Sequence, residues 1–103
     1  MFVVVFRNRK RADLDAAAYS ADAAWMEELA RAQPGFVSFK SYTAEDGEVV
    51  ALSEWADAEA ARAWGSHPDH ARIQARGRGR YYADYTLYTC DDPRTHRFES
   101  PAA

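Results

Sequence analysis

Between Glu54 and Cys90 the chain reads EWADAEAARAWGSHPDHARIQARGRGRYYADYTLYTC. Two tryptophans, two histidines, several arginines and four tyrosines thus fall within one stretch. Histidine is the one side chain whose unperturbed titration lies near neutral pH, so His67 and His70 are the natural candidates for a general base. Trp and Tyr rings offer flat apolar walls with polar edges, suited to a small-molecule ligand. The bland readings weigh equally. His67 directly precedes Pro68, where a polar residue caps a helix. Trp55 and Trp64 are as well suited to a core as to a pocket wall, and tyrosines 81, 82, 85 and 88 suit packing. His67 and His70 are three apart with Asp69 between them, but no third ligand at helical spacing completes a metal site. No nucleophile elbow is present for Ser-His-Asp chemistry.

The elements that must position these residues follow from periodicity. FVVVFR, residues 2–7, is β-branched and aromatic and reads as a well-buried strand. Asp13 or Asp15 caps a helix whose apolar stripe runs Leu14, Ala17, Ala18, Ala21, Trp25, Met26, Leu29, Ala32, and Pro34-Gly35 ends it. Phe36–Thr43 and Val49–Trp55 form a hairpin about Glu45-Asp46-Gly47. Asp57 caps a second helix ending near Gly65. Pro68 opens a further helical piece to about Gly77 or Gly79, and Tyr81–Cys90 is the last strand. In that strand Tyr81, Ala83, Tyr85 and Leu87 are expected on one face, and Tyr82, Thr86, Tyr88 and Cys90 on the other.

The order is β-α-β-β-α-β, an α+β ferredoxin-like arrangement with one antiparallel sheet and helices on a single face. Residues 1–92 form the domain and 93–103 a polar tail with Phe98 as its one anchor. Both alternating sets of the first strand are apolar, so leaving one sheet face in water forfeits roughly 1.5–3 kcal/mol per large side chain. Pairing with an identical subunit covers it, and a homodimer is expected.

Composition narrows the class. With 103 residues, 48% hydrophobic and 14% aromatic, the chain is one folded domain. A net charge of −3 gives no global field for nucleic acid. The stripes Arg7, Arg9, Lys10, Arg11 and Arg72, Arg76, Arg78, Arg80 read as solvated faces. One cysteine, Cys90, excludes an internal disulfide. No segment approaches the length of a membrane span and no signal peptide is evident, so no membrane partner and a cytoplasmic location are expected.

PGFVSFKSYTAEDGE, ALSEWADAEAARAW and HPDHARIQARGRGRYY, in this order, resemble motifs of the antibiotic biosynthesis monooxygenase family, whose members are dimeric α+β barrels. The resemblance spans Phe2 to about Cys90. It implies a homodimer with facing sheets and a pocket between sheet and helices in each subunit. It also implies a cofactor-independent monooxygenase acting on an aromatic, phenolic or quinone-like molecule. Such an enzyme needs a dry aromatic pocket, a base and a donor for the developing anion. His70 or His67 then serves as the base, and Trp64, Trp55, Tyr81 and Tyr85 as walls. Asn8, Gln74 or Arg80 holds the oxyanion. No cofactor and no metal are expected. A non-catalytic small-molecule-binding or stress-associated homodimer is the competing class. The family's haem-degrading branch implies an Asn, a Trp and a more distant His. Asn8 and Trp64 match the first two, but Gln74 falls where the His would be, and Gln is a poor iron ligand.

Overall fold

A computed structural model describes residues 1–101, so the last two residues of the expected tail lie outside the described residues. The elements are β1 (Phe2–Lys10), α1 (Ala16–Arg31), β2 (Phe36–Thr43), β3 (Val49–Trp55), α2 (Ala58–Gly65), α3 (Pro68–Arg80) and β4 (Tyr82–Asp91). The four strands form one sheet in the order β2-β3-β1-β4 with every pair antiparallel. This is the expected α+β ferredoxin-like arrangement, with a third helix before the last strand.

Local chemistry sets the boundaries. Asp15 caps α1 by accepting from the Ala18 N–H at 3.1 Å, and Asp57 caps α2 by accepting from the Ala60 N–H at 2.8 Å. His67 caps α3 and Pro68 stands in its first turn. Gly35, at φ +83°, turns the chain from α1 into β2, and a Cβ there would lie 2.5 Å from that of Ala60. The turn therefore requires glycine both for its backbone and for the approach of α2.

Two boundaries and the facing of one strand's start differ from the sequence expectation. Strand β1 runs on to Lys10, because its polar end still pairs with β4. Helix α3 continues through Gly77 and Gly79 to Arg80, with Tyr81 as its C-cap rather than a strand residue. The alternation expected for β4 also fails at its start. The register shifts between Arg9, opposite Asp84, and Lys10, opposite Tyr82. That irregularity turns Tyr82 to the same side as Tyr85 instead of the opposite one.

Antiparallel partners share a face, so the register assigns both sides of the sheet. Phe2, Val4, Phe6, Asn8 and Lys10 lie on the helix side with Trp55, Tyr85 and Leu87. Val3, Val5 and Arg7 lie on the other side with Val50, Leu52, Tyr88 and Cys90. Among the described residues only Asn8, Ala30, Trp55, Gly77 and Tyr81 are buried, so three helices cover the sheet thinly. No helix among them is long and apolar enough to cross a membrane.

Candidate functional site

The helix side of the sheet carries two aromatic centres, at opposite ends of β1. Six residues separate Phe2 from Asn8, which places the two ends about 20 Å apart along the strand.

The first centre gathers around Trp55, 1% exposed at the end of β3. Its ring meets Phe36 edge-on at 5.5 Å and stacks on Trp64 of α2 at 6.3 Å, with 23° between the planes. Trp64 in turn lies against His70 at 4.7 Å and His67 at 5.7 Å. The two histidines have different jobs. His67 Nδ1 accepts from the Asp69 N–H at 3.2 Å, so the lone pair it would need as a base serves the start of α3. His70 Nδ1 lies 3.3 Å from the Gly65 carbonyl oxygen. A carbonyl only accepts, so Nδ1 carries the proton and the neutral ring keeps its lone pair on Nε2. Burial pushes the His70 imidazole below its ordinary range, and neighbouring His67 adds to this while the Gly65 carbonyl opposes it. Near neutral pH His70 is thus an uncharged base packed on an indole.

The second centre gathers around Asn8, a polar side chain only 2% exposed. Its Oδ1 accepts from Lys10 Nζ. The Lys10 ammonium lies 4.7 Å from the centre of the Tyr19 ring of α1 and 5.3 Å from that of Tyr82. Phe6 sits 5.3 Å from Tyr82 and 5.2 Å from Tyr85, and Tyr82 and Tyr85 meet at 5.9 Å. Burial lowers the Lys10 pKa and raises those of Tyr19 and Tyr82.

Tyr81 sits next to this centre but is tied down. Its hydroxyl donates to Asp22 of α1, which also accepts from Arg76 of α3 at 2.8 Å. Hydrogen bonds from Tyr81, and then from Arg76, hold the Asp22 carboxyl below its usual range. The triad joins α1 and α3 at the entry to β4.

The expected site residues therefore divide. Trp55, Trp64, His67 and His70 come together at one end, while Asn8 and Tyr85 stand at the other, with Tyr81 nearby in its triad. Gln74 is exposed on α3 and joins neither centre. Arg80, also exposed, lines an open depression of about 280 Å³ with Arg11, Asp15 and Tyr81. Lys10, Tyr19 and Tyr82 were missed by the sequence reading. For Lys10 the signal was available, because it shares the strand parity of Phe6 and Asn8 and so belongs inside, unlike Arg7 and Arg9. Tyr82 was hidden by the register shift.

The family model for antibiotic biosynthesis monooxygenases matches residues 1–76. YqjZ, an uncharacterized protein of Bacillus subtilis, is 30% identical over 81 residues, covering 79% of this chain and 71% of its own. Among solved structures, Rv0793 from Mycobacterium tuberculosis superposes with a TM-score of 0.78 at 20% identity, covering 93% of this chain and 98% of that one. SnoaB, a cofactor-independent oxygenase from Streptomyces nogalater, gives a TM-score of 0.75 at 20% identity, with coverages of 91% and 94%. The structural likenesses are likenesses of fold.

Proposed function

The chain belongs to the antibiotic biosynthesis monooxygenase family, and from that premise we propose that it is a cofactor-independent monooxygenase acting on a phenolic or quinol-like aromatic molecule. The observation that carries the reading is the pairing of Trp64 with a neutral His70 whose Nε2 lone pair is free of the Gly65 hydrogen bond. SnoaB, of the same fold, is a cofactor-independent oxygenase, which supports the class of reaction.

In this chemistry the substrate supplies the electrons. His70 Nε2 takes a proton from an acidic C–H or O–H of the ring system, leaving a carbanion or phenolate that reduces dioxygen. The carbon–oxygen bond forms at the ring. One oxygen atom stays as a carbonyl and the other leaves as water with the protons removed from the substrate. Trp64, backed by the buried Trp55, supplies the apolar surface on which a flat ligand lies, which strengthens every polar contact made there. Trp55 is core rather than the wall the sequence suggested.

The test is oxygen uptake by metal-stripped protein against anthrone-like phenols and quinols. Uptake above autoxidation, falling about 10²–10⁴-fold in His70→Ala as expected for loss of a general base, supports the assignment. Undiminished uptake in His70→Ala overturns the role of His70. No uptake across the panel leaves the binding-protein class as the better description.

We further infer that the working unit is a homodimer joined through the open sheet face. Val3, Val5, Val50, Leu52 and Tyr88 support this, since they share a face that carries no helix.

A further inference from the structure

The four cations at the end of β1 are not alike. Arg7 pairs with Glu48 at 3.1 Å, Arg9 with Asp46 at 2.8 Å and Arg11 with Asp13 at 2.9 Å. Each of these guanidiniums is neutralised at the surface. Lys10 is the exception. It lies on the helix side, is half-buried, and makes no ion pair among the described residues. It donates to the Oδ1 of buried Asn8, a neutral acceptor, and two tyrosine rings flank it.

The two rings that flank it are uncharged. Tyr19 comes from α1 and Tyr82 from β4, both with their phenols held protonated by burial. The carboxylate of Asp22, also on α1, already serves Tyr81 and Arg76. An ammonium withdrawn from water without a counter-charge is costly. Cation–π contacts offset part of that cost, and an anionic ligand would offset more. An ammonium has three donors and Asn8 engages one. The rings of Tyr19 and Tyr82 beside it, with Phe6 and Tyr85 packed on Tyr82, favour an anion carried on an aromatic ring.

We propose that Lys10, oriented by Asn8 and flanked by Tyr19 and Tyr82, binds an aromatic ligand as its phenolate. Lys10 Nζ donates to the phenolate oxygen, and the phenolic proton passes to solvent. This rests on the reading above that the ligand is a phenol, and it gives such a ligand a separate binding position at the Asn8 end of β1, about 20 Å along the strand from the Trp55 end. It also assigns the charge to a residue outside the His70 centre.

The probe is a nitronaphthol whose anion absorbs in the visible, clear of protein absorbance, titrated with pH in the presence of the whole chain. If Lys10 holds the anion, bound probe ionises about one pH unit or more below free probe, equal to about tenfold tighter binding of the anion than of the phenol. Lys10→Met abolishes that difference and Lys10→Arg retains most of it. Circular dichroism and tryptophan emission monitor the fold of each variant. An unshifted wild-type midpoint, or a shift that survives in folded Lys10→Met, overturns the inference whatever the oxygen-uptake result. A shift that depends on Lys10, with no oxygen uptake on any substrate, upholds it and removes only the oxygenase reading.

Discussion

At the scale of single residues, what distinguishes His70 from His67 is which ring nitrogen is engaged and by what. A carbonyl at Nδ1 leaves a basic Nε2, whereas an N–H at Nδ1 uses the basic site for capping. The first consequence is a pH profile. With the His70 imidazole held below its ordinary range near 6.5, the acid limb of kcat/KM for oxygen uptake should have a midpoint below that value. The limb should vanish in the residual activity of His70→Ala. The same shift bears on stability. The unfolded chain takes up this proton more readily than the folded one, so His70 destabilises the fold as pH falls below about 6.5. The second consequence concerns Tyr81, 3% exposed, whose hydroxyl is satisfied by Asp22. Asp22→Ala leaves that hydroxyl buried without its acceptor and should cost about 1–3 kcal/mol in urea denaturation. In the wild type, a depressed carboxyl contributes stability above its unfolded value near 3.8 that is lost as pH falls through the folded one.

At the scale of elements, helix α3 is held to β4 by an absence of bulk. A Cβ on Gly77 would meet the Tyr82 ring at 2.7 Å, so the helix can lie this close only with glycine there. Gly77→Ala should displace Tyr82 from Lys10 and lower the melting temperature, while its better helix propensity would raise stability by up to about 1 kcal/mol if Tyr82 could move freely. Melting curves with Tyr82→Ala as partner in a double mutant separate these effects. Rescue in the double mutant is the expected outcome. The same region shows what the sequence did and did not disclose. The strands β2 and β3 were legible to the residue, because strong alternation, a Gly47 turn and a Pro34-Gly35 entry all agreed. The Trp64-to-His70 centre was legible because three and six positions along a capped turn bring those rings round to one place. The Asn8-to-Tyr82 centre was only half legible. A register shift between two strands depends on how both end, and nothing in the local pattern of YYADYT announces it.

At the scale of the whole molecule, one face of the sheet is left without a helix. The chain's radius of gyration of 14.9 Å exceeds the roughly 13 Å of a compact chain of about 100 residues, and the described segment after β4 is mostly exposed. Strand β4 is exposed along most of its length, with Leu87 and Tyr88 each about half exposed. The proposed dimer accounts for the open face. Light scattering at low micromolar concentration should give twice the mass of the chain. Leu52→Lys, which sets a charge amid that face, should shift the protein to monomer and weaken it against heat. A wild-type monomer under those conditions would leave the valines of β1 without a partner and overturn the pairing.

The strand order has a further result, on the growing chain rather than the finished one. Phe2 pairs with both Trp55 and Asp91, so β1, which leads the other strands in the chain, is interior to the sheet. Its two neighbours are the last two strands to follow. At a synthesis rate of about 5–20 residues per second, some 80 residues take roughly 4–16 s, during which FVVVF has no completed sheet to join. Its sticky edges are then a hazard shared with every other nascent copy. Slower initiation or a colder culture should therefore raise the yield of native protein without altering the stability of the molecules that fold.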